Sequence, residues 1–253
     1  MTSSVLITGG TGTLGRHVTP LLLDAGCKVR VLSRRGGDPS DGVEHVTGDL
    51  LAGEGIEAAV DGAETVLHLA GGPKGDDAAT RNLARAVSRA GARHLVHISV
   101  IGADRMPLGW FRTQLGAEEA VTGSGVPWTM LRAAQFHDLV LGVVRKMAAL
   151  PAVPAPGGLR FQPVDARDVA SRLAELTLGE PAGLVDDLAG PAVYGMADLV
   201  REYLRVRGKR RAMVPVRIPG KVGRAYRAGD NLTLEGADLG GRTWEDFLAE
   251  RLG

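Results

Sequence analysis

The stretch Val5-Leu6-Ile7-Thr8-Gly9-Gly10-Thr11-Gly12-Thr13-Leu14-Gly15-Arg16 decides the fold. A short apolar run typical of a buried strand leads into closely spaced glycines and then into a helix that we predict over Arg16–Ala25. Glycine lets the backbone turn tightly and approach a pyrophosphate, and the helix N-terminus offers unpaired N–H groups to it. The pattern therefore predicts a dinucleotide site at Gly9, Thr11, Gly12, Thr13, Leu14, Gly15 and Arg16. The alternative is a glycine-rich turn that binds no ligand.

Beyond this stretch, short apolar runs alternate with helical patterns up to about residue 132. Strands are predicted at Val5–Thr8, Lys28–Ser33, Val43–Thr47, Thr65–Leu69, His94–Ser99 and Trp128–Leu131. The later predicted helices between them are Gly55–Val60, Ala78–Ala90 and Thr113–Thr122. Strands joined by helices with right-handed crossovers give a Rossmann-type α/β fold, a doubly wound parallel sheet.

The second half of the chain is less regular. Helices are predicted at Asp138–Leu150, Arg167–Leu178 with Asp165 as cap, Ala197–Arg207, and Trp244–Leu252 capped by Thr243. Three prolines predict a loop over Pro151–Pro156, while Leu184–Leu188 and Ala212–Ile218 are predicted to be extended. We expect a single domain over 1–253, with a nucleotide-binding part at about 1–132 plus 160–180. A small C-terminal substrate lobe, about 133–159 and 181–253, is expected over the carboxyl ends of the strands.

Composition restricts the classes of partner. The chain has 253 residues, a net charge of +1 and one cysteine, Cys27, which excludes an internal disulfide and a multi-cysteine metal site. The first residues carry neither a secretion signal nor an apolar segment long enough to span a membrane, so we expect a cytoplasmic protein with no membrane partner. Charge is uneven: Arg201–Arg227 holds ten bases and one acid. No aromatic interleaving accompanies Lys209-Arg210-Arg211, which favours a solvated face over a nucleic-acid site. Monomer and homodimer both stay open.

The end of the second strand bears on the choice of dinucleotide. An NAD site usually has Asp or Glu there, about 20 residues after the glycines, to hold the ribose hydroxyls. Here the strand ends Ser33-Arg34-Arg35, and arginine suits the 2′-phosphate of NADP, which predicts NADP(H) in preference to NAD(H). Asp49-Leu50 and Leu69-Ala70-Gly71 follow the next two strands and are expected around the adenosine. The alternatives are solvated arginines and a capping role for Asp49.

These segments resemble the atypical short-chain dehydrogenase/reductases, in the branch with NmrA-like NAD(P)H-binding proteins and NADPH-dependent quinone reductases. The resemblance spans nearly the whole chain. It is carried by Thr8–Gly15, 31–34, 48–50, 69–71, Asn82, Leu95–Ser99, 127–132, Gln135-Phe136, Asp165-x-x-Asp168-Val169-Ala170 and Thr243-Trp244-x-x-Phe247. It implies a small apolar organic substrate, a cofactor contact for Asn82, and a nicotinamide near Ala133.

One departure from the family concerns the catalytic tyrosine and lysine. Family members usually carry Tyr-x-x-x-Lys on the helix after the fifth strand, yet none of the three tyrosines here has lysine at +4. In the family register Trp110 and Gln114 stand at those positions, so Trp110 is a candidate substrate contact and Gln114 a ribose contact. An indole N–H donates a hydrogen bond but is no acid near pH 7. Ser99 ends the strand at the place of the family's substrate-orienting serine; the alternative is a hydroxyl that closes the strand end.

Residues after the sixth strand complete the candidate site. Gln135 and Phe136 are candidate substrate contacts, and His137 is a candidate proton donor. For Phe136 and His137 the alternatives are a core ring and a surface or helix-start residue. His68 is expected in the core. His94 and His97 point to opposite faces of a strand, so no metal is expected there.

Three functions remain compatible with the sequence. One is an NADP(H)-dependent reductase of a conjugated apolar acceptor, a quinone or enone, whose anion needs positioning more than a strong acid. Another is a non-catalytic NADP(H)-binding redox sensor or regulatory protein. In the third, the nucleotide is structural and the pocket carries out redox-neutral chemistry such as isomerisation or dehydration.

Overall fold

A computed structural model describes residues 3–37, 42–72 and 74–253. Its strands are β1 Ser4–Thr8, β2 Lys28–Ser33, β3 Glu44–Thr47, β4 Thr65–His68, β5 His94–Val100, β6 Trp128–Ala133, β7 Ala152–Pro156, β8 Arg160–Phe161, β9 Gly183–Leu184, β10 Leu188–Ala189, β11 Tyr194–Gly195, β12 Ala212–Val216 and β13 Asp238–Leu239. Its helices are α1 Thr13–Asp24, α2 Ile56–Val60, α3 Asp76–Ala90, α4 Gly109–Thr122, α5 His137–Ala148, α6 Ala166–Leu178, α7 Met196–Val206, α8 Gly220–Ala228 and α9 Trp244–Leu252. Within the described ranges, every helix is too short or too polar to cross a membrane.

The chain folds as two compact units. The first comprises the chain up to Ser99, Gly109–Arg132 and Val169–Val185; the second comprises Val100–Leu108, Ala133–Asp168 and Asp186–Gly253. Of the lobe expected from the sequence, 133–159 and 186–253 fall in the second unit. Its position over the strand ends stays a prediction.

The first unit is built on a parallel sheet with the strand order β3-β2-β1-β4-β5-β6, and β9 adds to β6. Val5 pairs with Val29 on one side and with Thr65 on the other. The chain therefore reverses direction across the sheet between β1 and β4, the switch point at which open α/β sheets bind ligands. This order confirms the predicted Rossmann-type doubly wound fold.

Burial on both faces explains the near-continuous apolar strands of this unit. Leu6 and Ile7 of β1 and Leu67 of β4 are completely buried. Helices cover both faces of a parallel sheet, so its strands do not alternate between apolar and polar residues. One face packs on α2 and α3 through Ile56 and Leu83.

The second unit has its own apolar core. Trp244 is completely buried, and its indole N–H donates to the Leu199 carbonyl at 3.2 Å. Phe247 and Leu248 of α9 pack in the same core with residues of α5 and α7. Thr243 caps α9 as predicted, since its hydroxyl accepts from the Asp246 N–H at 3.1 Å. The capping prediction for Asp165 is likewise confirmed by the Arg167 N–H at 2.8 Å.

The prediction of a loop over Pro151–Pro156 is wrong. β7 occupies Ala152–Pro156 and pairs in parallel with β12. Proline breaks a ladder only where its missing N–H is needed. The residues whose N–H groups can donate toward β12 alternate with Pro154 and Pro156. Gly157 is the next residue in this alternation, and its N–H donates to the Val216 carbonyl at 3.0 Å. The prolines therefore occupy positions where a two-stranded sheet needs no donor.

Two further predictions missed the local structure. The extended segment expected at Leu184–Leu188 is two short strands, β9 and β10, separated by Asp186 and Asp187, which are poor strand formers. Helix α8, Gly220–Ala228, was not predicted because it begins at Gly220 and contains Gly223, and glycine is a poor helix former.

Two buried histidines pack in the core of the first unit. His68 is 1% exposed; its Nδ1 lies 2.7 Å from the Thr8 hydroxyl and its Nε2 lies 2.9 Å from the Thr80 hydroxyl. Thr80 donates to the Asp76 carbonyl oxygen, so Nε2 carries the proton and Nδ1 accepts from Thr8. The ring of His97 stacks on His68 with centroids 5.1 Å apart. The expectation of a core role for His68 is confirmed.

These two rings predict acid sensitivity. Burial lowers the pKa of His97 from 6.5 to about 4, against a smaller opposing effect of Glu118, and burial holds the pKa of His68 well below 6.5. Between those pH values the unfolded chain binds protons that the folded chain does not, so stability falls as pH drops from about 6.5 to about 4. The loss from His97 is up to about 3 kcal/mol.

Chemical denaturation across this pH range tests the expectation. His97→Gln should flatten the pH dependence of the free energy of unfolding, with His68 accounting for the rest. The exposed His17→Gln is the matched control and should leave the slope unchanged. Equal slopes in wild type and His97→Gln would contradict the assignment.

Candidate cofactor site

The turn after β1 depends on glycine for its backbone conformation. Gly9 has φ +72°, and a Cβ there would lie 2.7 Å from the Ala70 nitrogen. The turn is closed by the Gly12 N–H, which donates to the Gly9 carbonyl at 2.9 Å. Only a residue without a side chain fits this left-handed position beside the end of β4.

Two more glycines allow α1 to pack directly against the turn. A Cβ on Gly15 would lie 2.2 Å from the Gly10 carbonyl oxygen, and one on Gly10 would lie 2.8 Å from the Val31 side chain. Gly12 differs, because a Cβ there would meet only the Gly9 oxygen at 3.2 Å. Gly10 and Gly15 are thus required for close packing, whereas Gly12 leaves open space beside the turn.

The same turn presents the N-terminus of α1 to that space. Gly12 is the N-cap and has no side chain with which to cap the helix, and the first turn of α1 contains no acidic residue. The first N–H groups and the positive end of the helix dipole are therefore available to an anion.

A cavity of about 410 Å³ lies at the carboxyl ends of the strands of the first unit. The residues predicted for the cofactor that line it are Gly9, Thr11, Gly12, Ser33, Arg34, Asp49, Leu50, Leu69, Ala70 and Gly71. Thr13, Leu14, Gly15, Arg16 and Arg35 of the predicted set lie outside its lining. Leu14 and Gly15 are buried in packing, and the Arg16 guanidinium donates to the Thr11 carbonyl at 3.1 Å.

Two cations line this cavity. Arg34 was predicted from the end of β2, whereas Lys74, in the turn after β4, was not. The signal that sequence reasoning missed is a lone lysine after Leu69-Ala70-Gly71-Gly72 at the switch point. Arg35 is exposed and outside the lining. Of the two arginines predicted to contact the cofactor, only Arg34 therefore lines the cavity.

Asp49 and Asn82 hold the loop after β3. The Asp49 Oδ1 accepts from the Leu51 N–H at 2.8 Å and from the Ala52 N–H at 3.2 Å. Asn82 donates to the Leu50 carbonyl at 2.9 Å. Asp49 therefore holds a turn and caps no helix, since α2 has Gly55 as its N-cap, and it also lines the cavity. Asn82 positions Leu50, which lines the cavity as well.

A buried amide–carboxylate pair supports the turn after β4. Gln114 Nε2 donates to Asp76 Oδ2 at 2.5 Å, and the Gly72 N–H donates to Oδ1 at 2.7 Å. Burial raises the pKa of Asp76, although both hydrogen bonds oppose that rise. The Gln114 amide, predicted as a ribose contact, thus binds Asp76, which lines the cavity. Trp110, at the register position of the family's tyrosine, is 39% exposed and packs edge-to-face on Phe111.

Ser99 belongs to a buried ionic cluster. Its hydroxyl donates to Glu118 Oε1 at 2.5 Å, and Arg132 binds both oxygens of the same carboxylate at 2.8 and 2.7 Å. Ser99 is only 6% exposed. This placement favours the alternative considered for Ser99, a hydroxyl that closes the end of β5.

The remaining predicted residues lie in the second unit. His137 is completely buried, with its ring centroid 5.1 Å from Phe247 and 5.8 Å from Trp244. Its Nδ1 lies 4.0 Å from Asp165 Oδ2. Burial alone would raise the pKa of Asp165, but hydrogen bonds from Arg167 outweigh it and hold that pKa well below its usual range. A histidine enclosed in this way favours a packing role over proton donation.

Gln135 and Phe136 form the link from β6 to α5. The Gln135 carbonyl accepts from the Val164 N–H at 3.1 Å, and Phe136 bridges Val164 and is the N-cap of α5. Both side chains are half-buried, whereas Ala133 is buried at the end of β6. Their substrate and nicotinamide contacts stay predictions.

Comparison with known proteins agrees with this geometry. A family whose description is NAD(P)H-binding matches residues 9–176. The (4-alkanoyl-5-oxo-2,5-dihydrofuran-3-yl)methyl phosphate reductase of Streptomyces griseus is 32% identical over 212 residues, 81% of this chain and 74% of that protein. Quinone oxidoreductase 2 of Escherichia coli is 24% identical over 220 residues, 81% of this chain and 75% of that protein.

Solved structures share the fold. An Escherichia coli NADPH-dependent quinone oxidoreductase in complex with NADPH aligns with a TM-score of 0.83 at 18% identity, over 98% of this chain and all of that one. The triphenylmethane reductase of Citrobacter sp. in complex with NADP(H) aligns with a TM-score of 0.71 at 21% identity, over 97% and 94%.

The contrast between Gly12 and Gly15 gives a paired test of the site. Gly12→Ala fills the space beside the helix N-terminus and places its Cβ 3.2 Å from the Gly9 oxygen, so we expect at least about tenfold weaker NADPH binding with only a small loss of stability. Gly15→Ala strikes the Gly10 backbone, so we expect a loss of stability of about 1–3 kcal/mol as well. Calorimetric titration and thermal unfolding measure the two effects. Full NADPH affinity in Gly12→Ala would place the phosphates elsewhere.

Proposed function

The chain belongs to the NAD(P)H-binding family, and from this premise we propose that it is an NADP(H)-dependent oxidoreductase that reduces a conjugated, apolar acceptor such as a quinone or enone. The observation that carries the proposal is the cavity at the switch point, where a glycine turn, an uncapped helix N-terminus and two cations meet. The fold and the relatives support the coarser statement that this is an NAD(P)H-dependent oxidoreductase family.

The preference for NADP(H) over NAD(H) is argued from charge. Ser33-Arg34-Arg35 at the end of β2 contains no acid, whereas an acid there would repel a 2′-phosphate. Arg34 lines the cavity, and Lys74 adds a second positive charge to the same lining. Among the cavity residues, Asp49 and Asp76 are acidic, but each has a carboxylate oxygen that accepts backbone N–H groups. These hydrogen bonds engage the two carboxylates with the backbone, and Arg34 and Lys74 are the groups available to pair with an anionic ligand.

The proposed acceptor class follows from the residues available for proton transfer. All three tyrosines lie in the second unit: Tyr194 donates to Glu245 at 2.6 Å, Tyr226 packs on Phe161, and Tyr203 packs against the core. None stands at the register position of the family's catalytic tyrosine, which Trp110 occupies. Hydride addition to an isolated carbonyl needs an acid at the oxygen. Addition to a conjugated system spreads the charge, so water can supply the proton afterwards.

The bound dinucleotide supplies the hydride, and this chain's residues bind and orient it. The α1 N-terminus and Gly12 would hold the pyrophosphate, Arg34 the 2′-phosphate, and Ala70 and Gly71 would admit the adenosine ribose closely. The acceptor takes two electrons with that hydride and one proton from solvent. The Streptomyces griseus relative is named for an unsaturated, carbonyl-bearing ring and the Escherichia coli relative for a quinone, which supports this acceptor class.

A non-catalytic NADP(H) sensor is the second candidate. The observation in its favour is that the candidate substrate-orienting serine and the candidate proton donor are enclosed: Ser99 donates to Glu118, and His137 is completely buried. A sensor binds the dinucleotide through the same cavity and reduces nothing. Turnover therefore separates the two candidates.

Cofactor preference is tested by Arg34→Ala. The lost guanidinium–phosphate contact should weaken NADPH binding about ten- to a hundredfold and leave NADH binding nearly unchanged. Arg35→Ala is the matched control, because Arg35 is exposed and outside the cavity lining, and it should change NADPH affinity much less. Equal losses for NADPH and NADH in Arg34→Ala would contradict a 2′-phosphate contact.

Reductase activity is tested with the wild-type protein, NADPH and a panel of quinones, enones and simple ketones. We expect the reduced nicotinamide absorbance to decay with a conjugated acceptor and to persist with ketones. Gly12→Ala should slow that decay by raising the KM for NADPH. Tight NADPH binding without turnover on any conjugated acceptor would reject the reductase and favour the sensor.

A further inference from the structure

The second unit carries a small sheet with one wholly apolar face. β7 and β12 pair in parallel in the register Ala152–Ala212, Pro154–Val214 and Pro156–Val216. Paired residues share a face of the sheet, and successive residues alternate between faces. Val153, completely buried, and Met213 pack against the core of the unit. The opposite face therefore consists of Ala152, Pro154, Pro156, Ala212, Val214 and Val216.

Solvent reaches this face. Val214 is 47% exposed and Val216 is 37% exposed, and Ala152 and Ala212 are exposed as well. Among the described residues, β7 and β12 pair only with each other. None of the six side chains on the face carries charge or a hydrogen-bonding group. A contiguous apolar patch with polar surroundings marks a contact surface.

Basic residues stand at both ends of β12. Lys209, Arg210 and Arg211 precede the strand, and Arg217, Lys221 and Arg224 follow it, and all six are exposed. From 203 to 229 the chain has nine bases and no acid. The near-zero net charge of the whole chain therefore hides a strongly basic segment. None of these basic residues belongs to the cofactor site. The surface thus combines apolar contact with attraction for anions.

Charge argues against a second copy of the chain as the occupant. If two copies paired through β12 about a two-fold axis, the two strands would be antiparallel. The basic cluster that precedes β12 in one copy would then lie beside the basic cluster that follows β12 in the other. Like charges placed opposite each other destabilise such a pair. The face also offers no aromatic ring on which a nucleic-acid base could stack. A shallow apolar face between cationic clusters instead matches the interface of an anionic bilayer.

We propose that the apolar face of β7 and β12, with the basic clusters at both ends of β12, docks the protein reversibly on anionic phospholipid headgroups. The sequence led us to expect no membrane partner because no segment can span a bilayer, but surface docking needs no span. Docking would bring the enzyme to the phase in which apolar acceptors dissolve. That benefit rests on the proposed function, whereas the docking itself does not.

Cosedimentation with vesicles tests the proposal on the full chain. Wild type should bind vesicles of mixed phosphatidylglycerol and phosphatidylcholine, bind pure phosphatidylcholine at least about tenfold more weakly, and be released by high salt. Val214→Asp/Val216→Asp and Lys209→Glu/Arg210→Glu should each lower binding to the anionic vesicles at least tenfold. NADPH affinity and melting temperature, measured on the same samples, should match wild type.

Matched controls come from the first unit. Arg85→Glu/Arg89→Glu on α3 reverses as much charge, and Leu178→Asp adds an acid at an exposed apolar residue, so both should bind vesicles like wild type. Three outcomes would overturn the proposal: no binding to anionic vesicles, equal loss in the controls, or a wild-type dimer in light scattering that Val214→Asp/Val216→Asp dissociates. Because vesicle binding is read without NADPH turnover, its failure is separate from failure of the reductase proposal.

Discussion

The close approach of Gly15 to the Gly10 backbone is the contact on which the cofactor site depends. A side chain at Gly15 would overlap the Gly10 carbonyl, so only glycine lets α1 start directly behind the turn. That start aims the helix N-terminus at the space beside Gly12, between the ends of β1 and β4. The phosphate-binding chemistry proposed for the cavity presupposes this placement.

Around this contact the first unit divides its polar residues into two groups. Arg34, Lys74 and the α1 N-terminus offer positive charge to the cavity, which Asp49 and Asp76 also line. Glu118 and Arg132 form an enclosed ion pair to which Ser99 donates a hydrogen bond, and Gln114 donates a hydrogen bond to Asp76. Binding groups are thus open, while groups that resemble an acid–base apparatus are closed. An acceptor whose reduced anion is already stabilised by conjugation fits such a division.

The sequence was most informative where local rules and tertiary structure agree. β2 and α9 have their predicted bounds, and the glycine spacing predicted the switch-point cavity, because these features depend on residues close in the chain. It was least informative where partners are distant. β7 pairs with β12 across some 60 residues, and its prolines look like loop signals until that partner is known. Ser99 and His137 have the residue types of catalysis, and only their distant partners Glu118 and Trp244 reveal enclosure. No sequence motif predicts that Lys74 lines the cavity.

Direct transfer of hydride to a conjugated acceptor is the central claim, and an isotope reports on it most directly. The protein would be given NADPH that carries deuterium at the hydride-donating carbon, together with the enone that turns over fastest, and the product would be analysed by mass spectrometry and NMR. The account predicts deuterium at the electrophilic carbon of the reduced enone, with solvent supplying the second hydrogen, and slower label transfer in Gly12→Ala at a limiting NADPH concentration. Bound NADPH that never passes its deuterium to any acceptor would contradict it.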